Sequence, residues 1–312
     1  MKDLIILGAG PAGLSAAVYG KRAGLDPIVI EKEPMSGGQI LITYEVDNYL
    51  GLPGINGFDM GMKFKEHADR LGVRFEEASV TGISFIKDEG DTPFWRISTD
   101  SAVYEAKAVI ISCGASHNKL GIPGEEELAG RGVSYCATCD GAFFRGKTAV
   151  VNGGGDVAVE DAIFLARGCK HVYLVHRRNE LRAARILQDE LMKLPNVTVI
   201  WDSVVREVAS GEDGKVARVV LENVKSGEKK DLSTDALFVA IGIHPLSEPF
   251  SGAVELDDAG YIKAGEDCVT SAPGLFAAGD IRTKKLRQIV TAVSDGANAA
   301  TSAADYIAKL SL

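Results

Sequence analysis

Residues 3–31 read DLIILGAGPAGLSAAVYGKRAGLDPIVIE: an apolar run, a glycine-rich turn, an alanine-rich amphipathic stretch and a second apolar run. That order predicts strand, turn, helix, strand. Residues 148–176, TAVVNGGGDVAVEDAIFLARGCKHVYLVH, repeat it without a gap, pairing Gly8 with Gly153, Gly10 with Gly155, Gly13 with Ala158 and Glu31 with His176. Such self-similarity marks an internally duplicated unit. Apolar runs ending in glycine recur at 108–114, 236–242 and 275–279, and each predicts a buried strand. The first two stand at the two ends of the second copy. The chain therefore leaves its first domain near Cys113 and returns near His244. Polar, glycine-containing stretches at 86–92 and 209–215 predict hairpin turns within each domain. The expected fold class is α/β, with two Rossmann-like three-layer nucleotide-binding domains, the second (114–245) inserted into the first (1–113 and 246–312).

The glycine spacing carries chemistry. The first glycine permits a tight turn, the second lets backbone approach a pyrophosphate, and a small third residue lets helix pack closely on strand. Phosphates then rest on free N–H groups at the positive end of the helix dipole. One such motif is a weak signal. Two, each in strand–turn–helix–strand context, predict two dinucleotide sites: Gly8, Gly10, Pro11, Ala12 and Gly13 for one, Gly153, Gly155, Asp156, Val157 and Ala158 for the other. Glu31, closing the first unit, is an acceptor suited to ribose hydroxyls. The second closes on His176-Arg177-Arg178, followed by Arg182 and Arg185. Guanidinium forks there bind a 2′-phosphate that an acid would repel, which predicts NADPH. The plainer alternative is a solvated basic helix start.

Of 312 residues, 46% are hydrophobic and 25% charged, with a net charge of −9. An acidic balance argues against a broad nucleic-acid surface or an anionic-membrane binder, and no apolar run approaches a membrane span. The N-terminal apolar run is too short for a signal peptide and reads as a buried strand; a cytoplasmic protein is expected. The five cysteines, at 113, 136, 139, 169 and 268, are too few and too unevenly placed for a disulfide framework. Only Cys136 and Cys139 form a motif, CxxC, which suits a reversible disulfide at a helix start. Half of a zinc site is the competing reading. Zinc needs four ligands and no second CxxC or CxxH follows, so no metal is expected. Asp140 is either a turn residue or N-cap, or a proton shuttle beside the dithiol.

Cys136-Ala137-Thr138-Cys139-Asp140-Gly141, about 14 residues before the second glycine motif, closely resembles the active-site sequence of the low-molecular-weight thioredoxin reductases, and the resemblance covers essentially the whole chain. It implies an FAD- and NADPH-dependent, homodimeric enzyme that reduces thioredoxin. It implies that Cys139 faces the flavin, that Cys136 exchanges with the protein substrate, and that Asp140 moves the thiol proton. Gly37-Gly38-Gln39 and Glu45-Val46-Asp47-Asn48 are similar to the family's FAD-contacting loops, and Val80 to the residue whose backbone meets adenine. Gly279-Asp280 resembles the strand end that binds the ribityl or pyrophosphate portion. Arg287-Gln288, with Ile289, resembles the segment touching the isoalloxazine ring. The resemblance further implies that the inserted domain rotates, presenting disulfide and nicotinamide alternately to the flavin, with hinges near Gly114-Ala115-Ser116 and Gly242-Ile243-His244-Pro245. Asn152, Cys113 and Leu50-Gly51 depart from the family's usual residues, and none lies on the electron path. Cys113, Cys169 and Cys268 are expected to be buried or incidental thiols. Two alternatives stay open: the same fold with another electron donor or acceptor (ferredoxin, a glutaredoxin-like partner, a small dithiol), and a flavin-bound redox sensor.

Overall fold

The computed structural model describes residues 1–43, 45–87 and 92–310. The chain forms two compact units, one of Met1–Thr43, Tyr49–Ser116 and His244–Leu312, the other of Tyr44–Asn48 and His117–Ile243.

The first unit opens with β1 (Lys2–Leu7), α1 (Pro11–Arg22) and β2 (Ile28–Glu31). Along β1 successive side chains feed opposite faces of the sheet. Leu4 and Ile6 enter one apolar cluster, Ile5 and Leu7 the other, all fully buried. Burying each contributes about 1.5–3 kcal/mol. Pro11 suits the first position of α1, where its missing N–H costs nothing. α2 (Gly57–Arg70) is capped by Asn56, whose side chain accepts the Asp59 N–H at 2.7 Å. The chain continues through β3 (Arg74–Glu77), β4 (Val80–Ile86), β5 (Phe94–Thr99) and β6 (Val103–Ile111). β4 and β5 pair antiparallel; of the expected turn at 86–92, residues 88–91 lie outside the described residues. β7 (Ala115–His117) follows.

The second unit contains β8 (Val133–Ser134), α3 (Ala137–Asp140), β9 (Thr148–Gly153), α4 (Asp156–Ala166), β10 (His171–Val175), α5 (Arg185–Leu191) and β11 (Val197–Ile200). Then come β12 (Ser203–Ser210), β13 (Val216–Asn223), β14 (Lys229–Ser233) and β15 (Ala236–Ala240). Its parallel sheet runs β11-β10-β9-β15-β8, and β12-β13-β14 form a separate antiparallel sheet. β9 alternates like β1: Ala149 and Val151 pack with α4, Val150 with the antiparallel sheet. The expected hairpin at 209–215 forms, closed by the Gly211 N–H donating to Lys215 O at 2.8 Å.

β16 (Ile243–Pro245) pairs with β7, so the two chain crossings run as one two-stranded ladder. β17 (Leu275–Ala277) and α6 (Ile289–Leu310) complete the first unit. Its seven-stranded sheet runs β3-β2-β1-β6-β5-β4, with β17 pairing the far part of β6 in parallel. α6 lies tightly along α1: a Cβ on Gly296 would stand 2.1 Å from Ala12 O. No helix among the described residues is long and apolar enough to cross a membrane.

Candidate active site

In the first unit the turn at Gly8 sits between two backbones. Gly8 has φ +100°, and a Cβ there would meet Ser112 O at 2.6 Å; a Cβ on Gly13 would meet Gly8 O at 1.9 Å. A Cβ on Gly10, by contrast, would meet nothing within 4 Å. That is the pattern a pyrophosphate-binding turn requires: closed against its own helix and open at the second glycine. Glu31 reaches back to the turn, one carboxylate oxygen accepting the Ala9 N–H at 2.6 Å and the other those of Lys32 and Glu33. Gly38 (φ +60°) stands against Gly10, and the Gly37 N–H bonds Ala9 O at 2.8 Å. Gln39 donates its side-chain N–H to Ala115 O.

Gly279 packs on the start of α1, where a Cβ would lie 2.9 Å from that of Ala12. Asp280 beside it is largely buried, one carboxylate oxygen has no hydrogen-bond partner, and burial raises its pKa. A ligand hydroxyl is the partner such an oxygen needs. Arg287 lies over the Tyr261 ring at 4.0 Å and donates toward Asp280 O; Ile289, directly after Gln288, begins α6. Gly10, Ala12, Gly38 and Asp280 are thus brought together by α1 and the backbone packed on it, and these residues fit a flavin dinucleotide. Val80 opens β4 at the sheet's edge, and Asn48 lies in the short stretch clustered with the second unit. Cys113 is pushed up to about 12 by burial and then by Glu31, and Cys268 also to about 12 by burial; neither is poised as a nucleophile.

The second turn reproduces the first. A Cβ on Gly153 would strike Ala240 O at 2.3 Å, whereas one on Gly155 would meet nothing within 4 Å. Ala158 is fully buried, Asp156 and Val157 exposed. The segment carrying the arginines is pinned to this turn: the Arg182 N–H donates to Gly154 O at 2.7 Å, and the Ala184 N–H to Asp156 Oδ1 at 2.7 Å. Arg177, Arg178 and Arg182 stand exposed without an ion-pair partner among the described residues, whereas Arg185 pairs with Asp189. Three unneutralised guanidinium groups beside a dinucleotide turn fit a 2′-phosphate. His176, unlike them, is buried under the turn. A Cβ on Gly154 would fall 2.2 Å from its Nδ1, and burial lowers its pKa. Only glycine fits at 154, which spacing alone did not single out.

Cys136 and Cys139, both half-buried, form a disulfide at the start of α3. α3 and the turn after it pack on α4, where a Cβ on Gly141 would meet Leu165 at 2.9 Å. The dithiol and the second glycine turn therefore share one unit. Asp140 is largely buried, and burial raises its pKa against a lowering hydrogen bond from Ser134. The Ser134 hydroxyl donates to Asp140 Oδ2 at 2.5 Å and accepts the Cys136 N–H at 3.1 Å. Oδ1 is buried with no partner. Ser134 carries no periodic signal, and reading by motif passes over it.

Two paired nucleotide turns and a redox-active disulfide define a flavin- and nicotinamide-linked disulfide reductase, and the chain belongs to the pyridine nucleotide-disulphide oxidoreductase family, whose model matches residues 2–296. It is 44% identical over 308 residues to the thioredoxin reductase of Bacillus subtilis, covering 99% of this chain and 95% of that one. The thioredoxin reductase of Streptococcus pyogenes superposes with a TM-score of 0.94 at 43% identity over 99% of both chains. That of Lactococcus lactis, in its FR conformation, is also 43% identical, over 99% of this chain and 100% of that one, with a TM-score of 0.65.

Proposed function

We propose that this chain is a thioredoxin-disulfide reductase that passes electrons from NADPH through FAD and the Cys136–Cys139 disulfide to thioredoxin, acting as a cytoplasmic homodimer. The observation that carries the reading is the disulfide beside Asp140, with its free buried oxygen, in the same unit as an arginine-fringed dinucleotide turn. When bound, the two cofactors supply hydride and electron-pair transfer. The chain's own residues do the rest. Gly8, Gly10 and Gly13 seat the flavin's pyrophosphate, Glu31 its ribose, and Asp280 a ribityl hydroxyl. Gly38, Gln39, Asn48, Val80, Arg287, Gln288 and Ile289 line the remainder. Gly153, Gly155 and Ala158 seat the second pyrophosphate, and Arg177, Arg178 and Arg182 hold the 2′-phosphate. Asp140 holds and releases a proton at the dithiol, and Cys136, as thiolate, attacks the partner's disulfide through a mixed disulfide.

An anaerobic titration of the purified yellow protein tests this. Uptake of four electrons per flavin from NADPH, with little from NADH, and turnover with thioredoxin are the expected results. Two electrons per flavin would mean that the dithiol is uncoupled, and bleaching only by dithionite would mean another donor.

A further inference from the structure

We propose that Ser134 is a positioning residue that holds the Asp140 carboxyl so that one fixed oxygen, Oδ1, exchanges the proton of the Cys136–Cys139 pair; the proposal rests on the reductase reading above. Ser134 is buried at the end of β8, two residues before Cys136. A hydroxyl has one proton to give and lone pairs to accept with. Here the proton goes to Asp140 Oδ2 at 2.5 Å, while the oxygen receives the Cys136 N–H at 3.1 Å. Cys136 O, 3.4 Å away, is the poorer alternative acceptor, and it already receives the N–H groups of Cys139 and Asp140, at 3.2 and 3.1 Å. One hydroxyl thus ties the acid's side chain to the backbone of one cysteine of the pair.

The two carboxyl oxygens are made unequal. Oδ2 is committed to Ser134; Oδ1 is buried and has no partner. Free rotation would let either oxygen take either place, and the Ser134 bond removes that freedom. Breaking the Cys136–Cys139 bond with two electrons, delivered from the nicotinamide, leaves two thiolates. Oδ1–H gives its proton to one of them and Asp140 becomes a carboxylate, whose charge the Ser134 hydroxyl stabilises. In the oxidative half the carboxylate takes the proton back as the thiol becomes the attacking thiolate. A hydrogen bond to the charged form favours that form, so removing Ser134 both loosens the acid and raises its pKa further. Asp161, on α4 packed against α3, titrates too, its carboxyl pushed up to about 7 by burial and then by Glu160. The pH profile must therefore be read against Asp140→Asn.

The test compares Ser134→Ala, Ser134→Thr, Asp140→Asn and the Ser134→Ala/Asp140→Asn double variant in NADPH-driven thioredoxin reduction across pH, using FAD-loaded protein. Ser134→Ala is expected to lose roughly tenfold to hundredfold in kcat, the scale of a misplaced catalytic group, and to move the Asp140-governed limb to higher pH. Threonine should restore both, and in the Asp140→Asn background Ser134→Ala should cost nothing further. Equal losses in both backgrounds, an unmoved limb, or no rescue by threonine would overturn the proposal. Should Ser134→Ala fail to fold, Ser134→Gly takes its place. If the unaltered protein does not reduce thioredoxin, it is the reductase reading that fails. The same four proteins are then compared in the rate at which NADPH exposes two titratable thiols, and the same pattern is required.

Discussion

Three buried polar atoms lack a hydrogen-bond partner among the described residues: Asp280 Oδ1, His176 Nε2 and Asp140 Oδ1. Each such atom costs about 1–3 kcal/mol if nothing satisfies it. They stand beside the first glycine turn, the second glycine turn and the disulfide, so each of the three chemical stations keeps one polar atom free. At the second turn, Arg177, Arg178 and Arg182 make the selectivity testable. Neutralising Arg177 and Arg178 removes charge-assisted contacts worth about 1.5–3 kcal/mol each, so the NADPH-to-NADH ratio of kcat/KM should fall at least roughly tenfold. An unchanged ratio would leave the arginines as a solvated helix start. The two sulfurs also separate by role. Cys136→Ser and Cys139→Ser should both lose thioredoxin reduction while NADPH still reduces the flavin. A long-wavelength thiolate–flavin absorbance should appear only in Cys136→Ser, which leaves Cys139 facing the ring. Its appearance only in Cys139→Ser would reverse the assignment.

Much of the element scale was legible in the pattern. The duplicated strand–turn–helix–strand unit forms at both places, α1 and α4 starting at the equivalent residues Pro11 and Asp156. The reason is physical: a close approach that excludes every side chain but hydrogen leaves a glycine wherever it occurs, as Gly13 and Gly153 show. Polar contacts between residues distant along the chain leave no such mark. Ser134 looks like any strand-end serine, and Asp295 like any helix carboxylate. Yet Asp295, 4% exposed on α6, accepts from Gly279 N–H at 2.9 Å, from Arg282 at 2.6 and 2.8 Å and from Lys284 at 2.7 Å. It therefore locks α6 to the segment that presents Asp280. Removing one partner of a buried, hydrogen-bonded pair strands the other and costs about 3–5 kcal/mol. Asp295→Ala should lose about that much stability in denaturant titration, and FAD should dissociate faster from the folded fraction. A variant as stable as the parent would show that Arg282 and Lys284 find other partners.

At the scale of the whole molecule, the proposed function gives one flavin two clients that both belong to the other unit. The first glycine turn lies in the unit that begins at Met1, while the Cys136–Cys139 disulfide and the second turn lie in the unit spanning His117–Ile243. Disulfide and nicotinamide must each come within contact distance of the same ring for electrons to pass. Turnover is therefore expected to need movement of one unit against the other. The expected hinges are the two crossings: two strands of three residues, Ala115–His117 and Ile243–Pro245, paired with each other and flanked by Gly114 and Gly242, both at positive φ. Short segments that absorb a change in φ and ψ are what a rigid-body hinge requires. Cysteines placed at Lys63 and Glu212, both exposed and one in each unit, would carry maleimide spin labels while the native disulfide is oxidised. Pulsed dipolar measurements should then give more than one distance, with weights that change when NADPH is added. A single distance, unmoved by NADPH in a protein that still turns over, would mean that both partners reach the ring without a hinge.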